Sequence, residues 1–365
     1  MEYSSQTKNG RLFARNCLIT LIMAAMSPLA SAAGGDAASL QGEAFLDHKY
    51  VKKMKREWVD KKVTYDKKIK NADLVLSLGQ QTHPALSPLV KKMAKERGLN
   101  VVIQQGSCGK TAKKLNRKAV DVGAYCCPPM KKDRLPGLEF HTVGIAAIAF
   151  VTHSSNPLKN ISSIEAQDIY RGEYVNWSEV PSAKKLNLTG DKIQPVVRLH
   201  CKKRPGHWRH LLKNEDLFSP RTFEVGVIPD MIKQVAKNKA AIGLETVFML
   251  DVHKKHGKLN ILSVDGHKPE QEEFVLNGQY PIYRTYNLTT WVGEGKNYDL
   301  AKEFVAELKA HVEKEGEKYG FISPSKLKKA GWVFEGDELI AEPDGMPVIH
   351  EHPVAHDSSA DHDHT

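Results

Sequence analysis

Residues 74–125 read LVLSLGQQTHPALSPLVKKMAKERGLNVVIQQGSCGKTAKKLNRKAVDVGAY. Three short apolar runs, LVLSLG (74–79), LNVVIQQ (99–105) and AVDVGAY (119–125), have the length and residue types of strands. Between them, Pro84 to Arg97 predicts a helix closed by Gly98, and Thr111 to Lys118 predicts a shorter one. Strands alternating with helices predict an α/β fold around a parallel sheet, with a loop after each strand end free to meet a ligand. The pattern continues outward. HTVGIAAIAFVTH (141–153) reads as a long fourth strand, Ser162 to Tyr170 as a capped helix, and Ile193 to Leu199 as a strand. Gly206 to Leu212 and residues 228–239 read as helices, the latter leading into the strand-like AAIGLETV. Gln279 to Val292 is strand-rich, and Asp299 to Lys318 has the spacing of a long amphipathic helix.

The chain has 365 residues, enough for two domains, with 41% hydrophobic and 26% charged residues. Those fractions exclude a disordered chain, a collagen-like fibre and a disulfide-dense mini-protein. The formal charge of +10 points to an anionic ligand or partner. The Lys-rich stretch 51–73 reads as a solvated leader or extra helix, and nucleic acid is not expected as a partner.

Residues 1–32 have the form of a cleavable signal peptide. Lys8, Arg11 and Arg15 precede the apolar run Cys17 to Met26, and Ser31-Ala32-Ala33 supplies small residues for cleavage. The run is too short for a membrane anchor. Export to the periplasm is therefore expected, with four cysteines retained: Cys108, Cys126, Cys127 and Cys201. The end of the chain, HEHPVAHDSSADHDHT, is a low-complexity tract suited to weak metal collection through His350, His352, His356, His362 and His364.

Several blocks occur together in an order that is similar to one family: VVIQQGSCGK (101–110), VGIAAIAFVTHSSNPLKNIS (143–162), IYRGEYVNWSEV (169–180), VAKNKAAIGLE (235–245), NGQYPIYR (277–284) and GFISP (320–324). The chain resembles the periplasmic phosphate-binding (PstS-like) solute-binding proteins of ABC transporters. The resemblance implies a two-lobed α/β protein, type II-like, that is not an enzyme, clamps a small ligand in an interlobe cleft and serves a permease as a monomer. The implied layout is a leader over 33–71, a discontinuous lobe 1 from 72–150 plus 245–335, lobe 2 from 151–244, and a disordered tail from 336–365.

Carried over residue by residue, the resemblance puts Thr82, Ser107 and Arg198 in the ligand loops. It also puts Cys108 where the family often has a hydroxyl, and Cys126 where it has a proton-accepting Asp. Cys201 follows Arg198 where a Ser-Gly-Thr cradle is usual. All four retained cysteines therefore fall in loops expected to line one cleft.

Three readings follow. Thiolates suit Cu(I), Zn(II) or another thiophilic species such as trivalent arsenic, with Cys108, Cys126 and Cys201 as ligands and Cys127, His83 and His200 as further candidates. Cysteines in an oxidising compartment also pair as disulfides. Retained hydroxyls and Arg198 would serve phosphate or a related oxyanion. The expected function is delivery of a soft metal, Cu or Zn. An oxyanion receptor and a periplasmic redox or metallochaperone protein stand as alternatives.

Overall fold

β1 (Leu74–Gly79) is buried along its whole length, as its apolar run predicts. Its alternate side chains serve two cores, because successive residues of a strand face opposite sides of the sheet. Leu74, Leu76 and Leu78 pack with α1 (His83–Glu96) and α5 (Lys296–Glu315) through Leu86, Val90, Phe304 and Leu308. Val75 faces the other layer, where Leu115 of α2 (Cys108–Asn116) meets Tyr125 and Trp291. The structure is a computed structural model describing residues 48–184, 186, 188, 192–198, 211–212 and 215–344. All of them fall within one compact unit, Gly35–Thr365.

The remaining strands are β2 (Val101–Gly106), β3 (Val122–Tyr125), β4 (Leu138–His153), β5 (Asn160–Ile161), β6 (Gln194–Val197), β7 (Phe223–Glu224), β8 (Ala241–Thr246), β9 (Leu259–Ile261), β10 (Ser263–Val264), β11 (Tyr283–Trp291), β12 (Val333–Glu335) and β13 (Glu338–Ala341). The main sheet runs β2-β1-β3-β11-β4-β8-β6-β7, with β9 added on β4. Pairing is parallel among β1, β2 and β3 and among β6, β7 and β8, as the strand–helix alternation predicts. The centre corrects that expectation: β3–β11, β11–β4 and β4–β8 are antiparallel. The 16-residue β4 is long enough to serve both halves, pairing β11 through Leu138–Ala147 and β8 through Ile148–Thr152. Since β11 carries the chain back across the same seam, it runs against both neighbours. The result is a two-lobed α/β fold with crossing strands at its waist.

The second half is built in the same way. α3 (Ser163–Arg171) opens with a reciprocal capping box. Ser162 Oγ accepts from the Glu165 amide at 3.1 Å, and Glu165 accepts from the Ser162 amide at 2.8 Å. α4 (Ile228–Lys237) lays Ile228, Met231, Ile232 and Val235 on Ala149 and Val151 of β4. Among the described residues no helix is long and apolar enough to cross a membrane.

Three expectations need adjusting. α2 begins at Cys108, three residues earlier than predicted, because Ser107 caps it. The described part of the leader is a packed strap with a one-turn α-helix at Arg56–Val59 and a 3-10 turn at Lys67–Ile69. Its Trp58, Val63, Tyr65 and Ile69 rest on the cluster around Trp291. The ordered chain also runs past residue 336, because the β12–β13 hairpin is held by Arg134 to Glu338 (2.5 Å) and His141 to Asp337 (2.9 Å). The predicted helix at Gly206–Leu212 and the histidine tail lie mostly or wholly outside the described residues.

Two buried carboxylates give the fold a pH dependence. Burial lifts Asp121 from 3.8 to about 6, although Tyr65 and the Val75 amide both donate to it. Burial likewise lifts Glu342 from 4.5 to about 7 against the hydrogen bond from Tyr283. With both folded-state values raised, the stability these groups supply is complete below their ordinary pKa values and is lost as pH rises through 6 and then 7. Asp121→Asn with Glu342→Gln should flatten the decline of melting temperature across that window. A double variant as steep as the wild type would contradict the assignment.

Candidate functional site

The carboxyl ends of β1, β2 and β3, the end of β6, the end of β8 and the start of β11 converge on one cleft, the usual location for a ligand in an open α/β sheet. At its centre lies Glu245, the penultimate residue of β8 and fully buried. Its carboxylate accepts from Arg198 Nη2 at 2.5 Å, from Gln81 Nε2 at 2.7 Å and from the Thr246 amide at 2.8 Å. Arg284 Nη2 stands 4.0 Å away. Burial works against charge on Glu245, but Arg198 and Arg284 outweigh it and hold the carboxyl below its usual range. Gln81 completes the knot, its Oε1 accepting from Tyr286 OH at 3.3 Å and Thr246 Oγ1 at 3.4 Å.

Arg198 and Arg284 are only 5% and 3% exposed, so two guanidiniums and one carboxylate share a closed space. The Nε of Arg198 has no hydrogen-bond partner among the described residues. Burial opposes the charge on Arg284, yet Cys126 and Glu245 beside it keep it protonated above its ordinary range. Beside the arginines lies a thiol pair: Cys108 Sγ and Cys126 Sγ are 3.1 Å apart, and Cys108 Sγ also accepts from the Cys126 amide at 3.4 Å. Hydrogen bonding to Cys108, followed by burial, pushes the Cys126 thiol well up, while Arg284 and Arg198 pull it down.

The expected site residues separate into those the cleft gathers and those it does not. Cys108 and Cys126 meet, and Arg198 reaches the same space. Thr82 is buried at the start of α1, with Oγ1 donating to the Gly79 carbonyl at 3.3 Å. Ser107 caps α2 by accepting from the Lys110 amide. The Cys127 side chain packs in the apolar cluster with Leu115, Phe140 and Trp291, a cluster that also includes Cys108 and against which Cys126 rests. His83 sits in the first turn of α1, where burial and Lys91 lower its pKa. Among the described residues no three His, Cys, Asp or Glu side chains form a metal-binding group, so neither Cys127 nor His83 joins the thiol pair in one. His200 and Cys201 lie outside the described residues.

Glu245, Arg284, Gln81 and Tyr286 were not singled out as site residues by the sequence reading. Two of them, Glu245 and Arg284, close the blocks VAKNKAAIGLE and NGQYPIYR, and for Glu245 a lone charge in the largely apolar run AAIGLETV was the available signal. A separate cavity of about 430 Å³, lined by Phe248, Glu270, Tyr319 and Phe321, touches Thr246 but holds none of the cysteines.

A two-lobed fold with its polar groups gathered at strand ends defines the binding-protein class. Residues 71–310 match the PBP superfamily domain, and the chain belongs to that family. It is 26% identical over 238 residues to the phosphate-binding protein PstS of Bacillus subtilis (strain 168), covering 62% of this chain and 73% of that protein. The crystal structure of an ABC-type phosphate transport receptor from Vibrio cholerae shares the fold with a TM-score of 0.54 and 18% identity, over 69% of this chain and all of that one (100%). A Clostridium perfringens structure with bound phosphate, assigned as a phosphate ABC transporter substrate-binding protein, gives 0.57 and 19%, over 68% of this chain and 98% of that one.

The network predicts a response to anions. Glu245→Gln keeps the shape but leaves two buried guanidiniums uncompensated, a loss of roughly 3–5 kcal/mol for such a broken pair. This variant should melt lower than wild type and be rescued by added phosphate, while wild type barely shifts. An equal phosphate shift in both proteins would show that Glu245 does not occupy the arginines.

Proposed function

We propose that this chain is an exported solute-binding protein of the ABC-transporter type whose cleft takes a thiophilic solute, a soft metal ion such as Cu(I), between Cys108 and Cys126. The observation that carries this reading is the thiol pair, 3.1 Å between sulfurs, set against arginines already engaged by a buried carboxylate. Soft sulfur ligands select Cu(I), and a bis-thiolate complex carries negative charge that Arg198 and Arg284 can offset. Low coordination suits the two thiols better than the four ligands a structural zinc site requires. Cys201, three residues after Arg198 in sequence, is the further thiol we assign to the site. The role is capture and delivery, with no catalytic step.

A second reading, phosphate or a related oxyanion, is favoured by the two buried arginines and by the relatives that carry phosphate in their names. Against it, Glu245 already takes Nη2 of Arg198, leaving Nε as the donor without a partner among the described residues.

Titration of reduced protein with Cu(I) under nitrogen tests the first reading. Tight binding should be weakened by at least about a hundredfold in Cys108→Ser and in Cys126→Ser, and left unchanged in Cys127→Ser. Undiminished Cu(I) affinity in the Cys108→Ser, Cys126→Ser double variant would reject the thiol site. Tight phosphate binding by wild type would establish the oxyanion reading instead.

A further inference from the structure

The strap before β1 has no part in the cleft, yet the fold pins it firmly. Trp58 Nε1 donates to the Asn116 carbonyl at 2.7 Å, and the Thr64 amide donates to the Lys118 carbonyl at 2.8 Å. Lys118 Nζ bonds the carbonyls of Val59 and Lys61 at 2.8 and 2.6 Å and lies over the Trp58 ring. Lys52 and Lys61 reach Asn116 and the Arg117 carbonyl, both at 3.3 Å. These bonds lay residues 52–64 along the carboxyl end of α2, where the helix dipole favours cations.

What the strap displays is positive charge. Residues 49–70 carry ten Lys or Arg against three acids, Glu57, Asp60 and Asp66, and residues 110–118 add five cations and no acid. Asp60 pairs with Arg56 and Asp66 with Arg117, which leaves Lys53, Lys55, Lys62, Lys67 and Lys68 exposed with no carboxylate of the described residues in their ion-pair range. The aromatic and branched anchors turn inward while the lysines turn out, so the two α2-facing and solvent-facing roles are divided along one segment. Val59, 44% exposed, stands in the open on the strap between Arg56 and Lys61, whereas Tyr50 and Val51 border a pocket that Glu139, Glu335, Asp337 and Glu338 also line.

We propose that this face docks on an anionic phospholipid surface. Lysines near such a surface each gain about 1 kcal/mol, and neighbouring apolar groups sink into the boundary between headgroups and acyl chains. A purely acidic protein partner would use the lysines but leave the exposed Val59 between them without an apolar environment, which favours the bilayer. Docking would hold the binding protein at the membrane independently of what its cleft carries.

Cosedimentation of the intact protein with vesicles tests this. Binding to phosphatidylcholine–phosphatidylglycerol vesicles should exceed binding to pure phosphatidylcholine and should fall steeply with salt. The Lys53→Gln, Lys62→Gln, Lys67→Gln triple variant should bind the anionic vesicles on the order of a hundredfold more weakly, with an unchanged melting temperature. Equal binding to both vesicle types, or a triple variant that binds like wild type, would overturn the proposal. So would retention by soluble polyphosphate without vesicle binding.

Discussion

The Glu245 carboxylate ties together the parts of the molecule that sequence keeps far apart. It joins the end of β8 to Arg198 after β6, to Arg284 at the start of β11 and, through Gln81, to the loop after β1. A buried carboxylate survives only if its charge is met, and here two guanidiniums and three hydrogen bonds meet it. The strand ends that form the cleft are therefore held in register by an interaction that also sets the local electrostatics. With Glu245 ionised and Arg198 and Arg284 protonated, one positive charge remains uncompensated. The Cys108–Cys126 pair lies next to that surplus.

In the function proposed above, the same arrangement lets a fold shared with phosphate receptors take a different solute. An oxyanion needs free donors, and the strongest donor in the cleft is already bonded to a side chain of the protein itself. A thiol pair needs a reason to give up protons. Burial and the mutual hydrogen bond resist that loss, while the arginines assist it once a soft cation replaces the protons. In the function proposed above, the thiols stay protonated while the cleft is empty, and on binding a thiophile the thiolates formed offset the surplus positive charge.

Much of the fold was legible. β1, α1 and the capping box at Ser162 follow from apolar runs, Gly98 and a Ser-x-x-Glu spacing. The antiparallel waist was not, because strand direction there depends on where β11 re-enters the sheet and not on any local residue. In the site, the meeting of Cys108 with Cys126 follows from their loops, while the Cys127 side chain packs among Leu115, Phe140 and Trp291 in a cluster that also takes in Cys108. Glu245 and Arg284 escaped notice because each is a single charge within a strand, and its meaning appears only when the strands are brought together. The Lys-rich leader hid its anchors in the same way: Trp58, Val63, Tyr65 and Ile69 are spaced irregularly, and only the surface they cover explains them.

The central claim is that sulfur from Cys108 and Cys126, and not an oxygen donor set, holds the solute. X-ray absorption spectroscopy of the Cu(I)-loaded protein addresses it directly. A first coordination shell of sulfur scatterers is expected, and it should be lost in the Cys108→Ser, Cys126→Ser variant. A shell of nitrogen and oxygen alone, unchanged by that substitution, would contradict it.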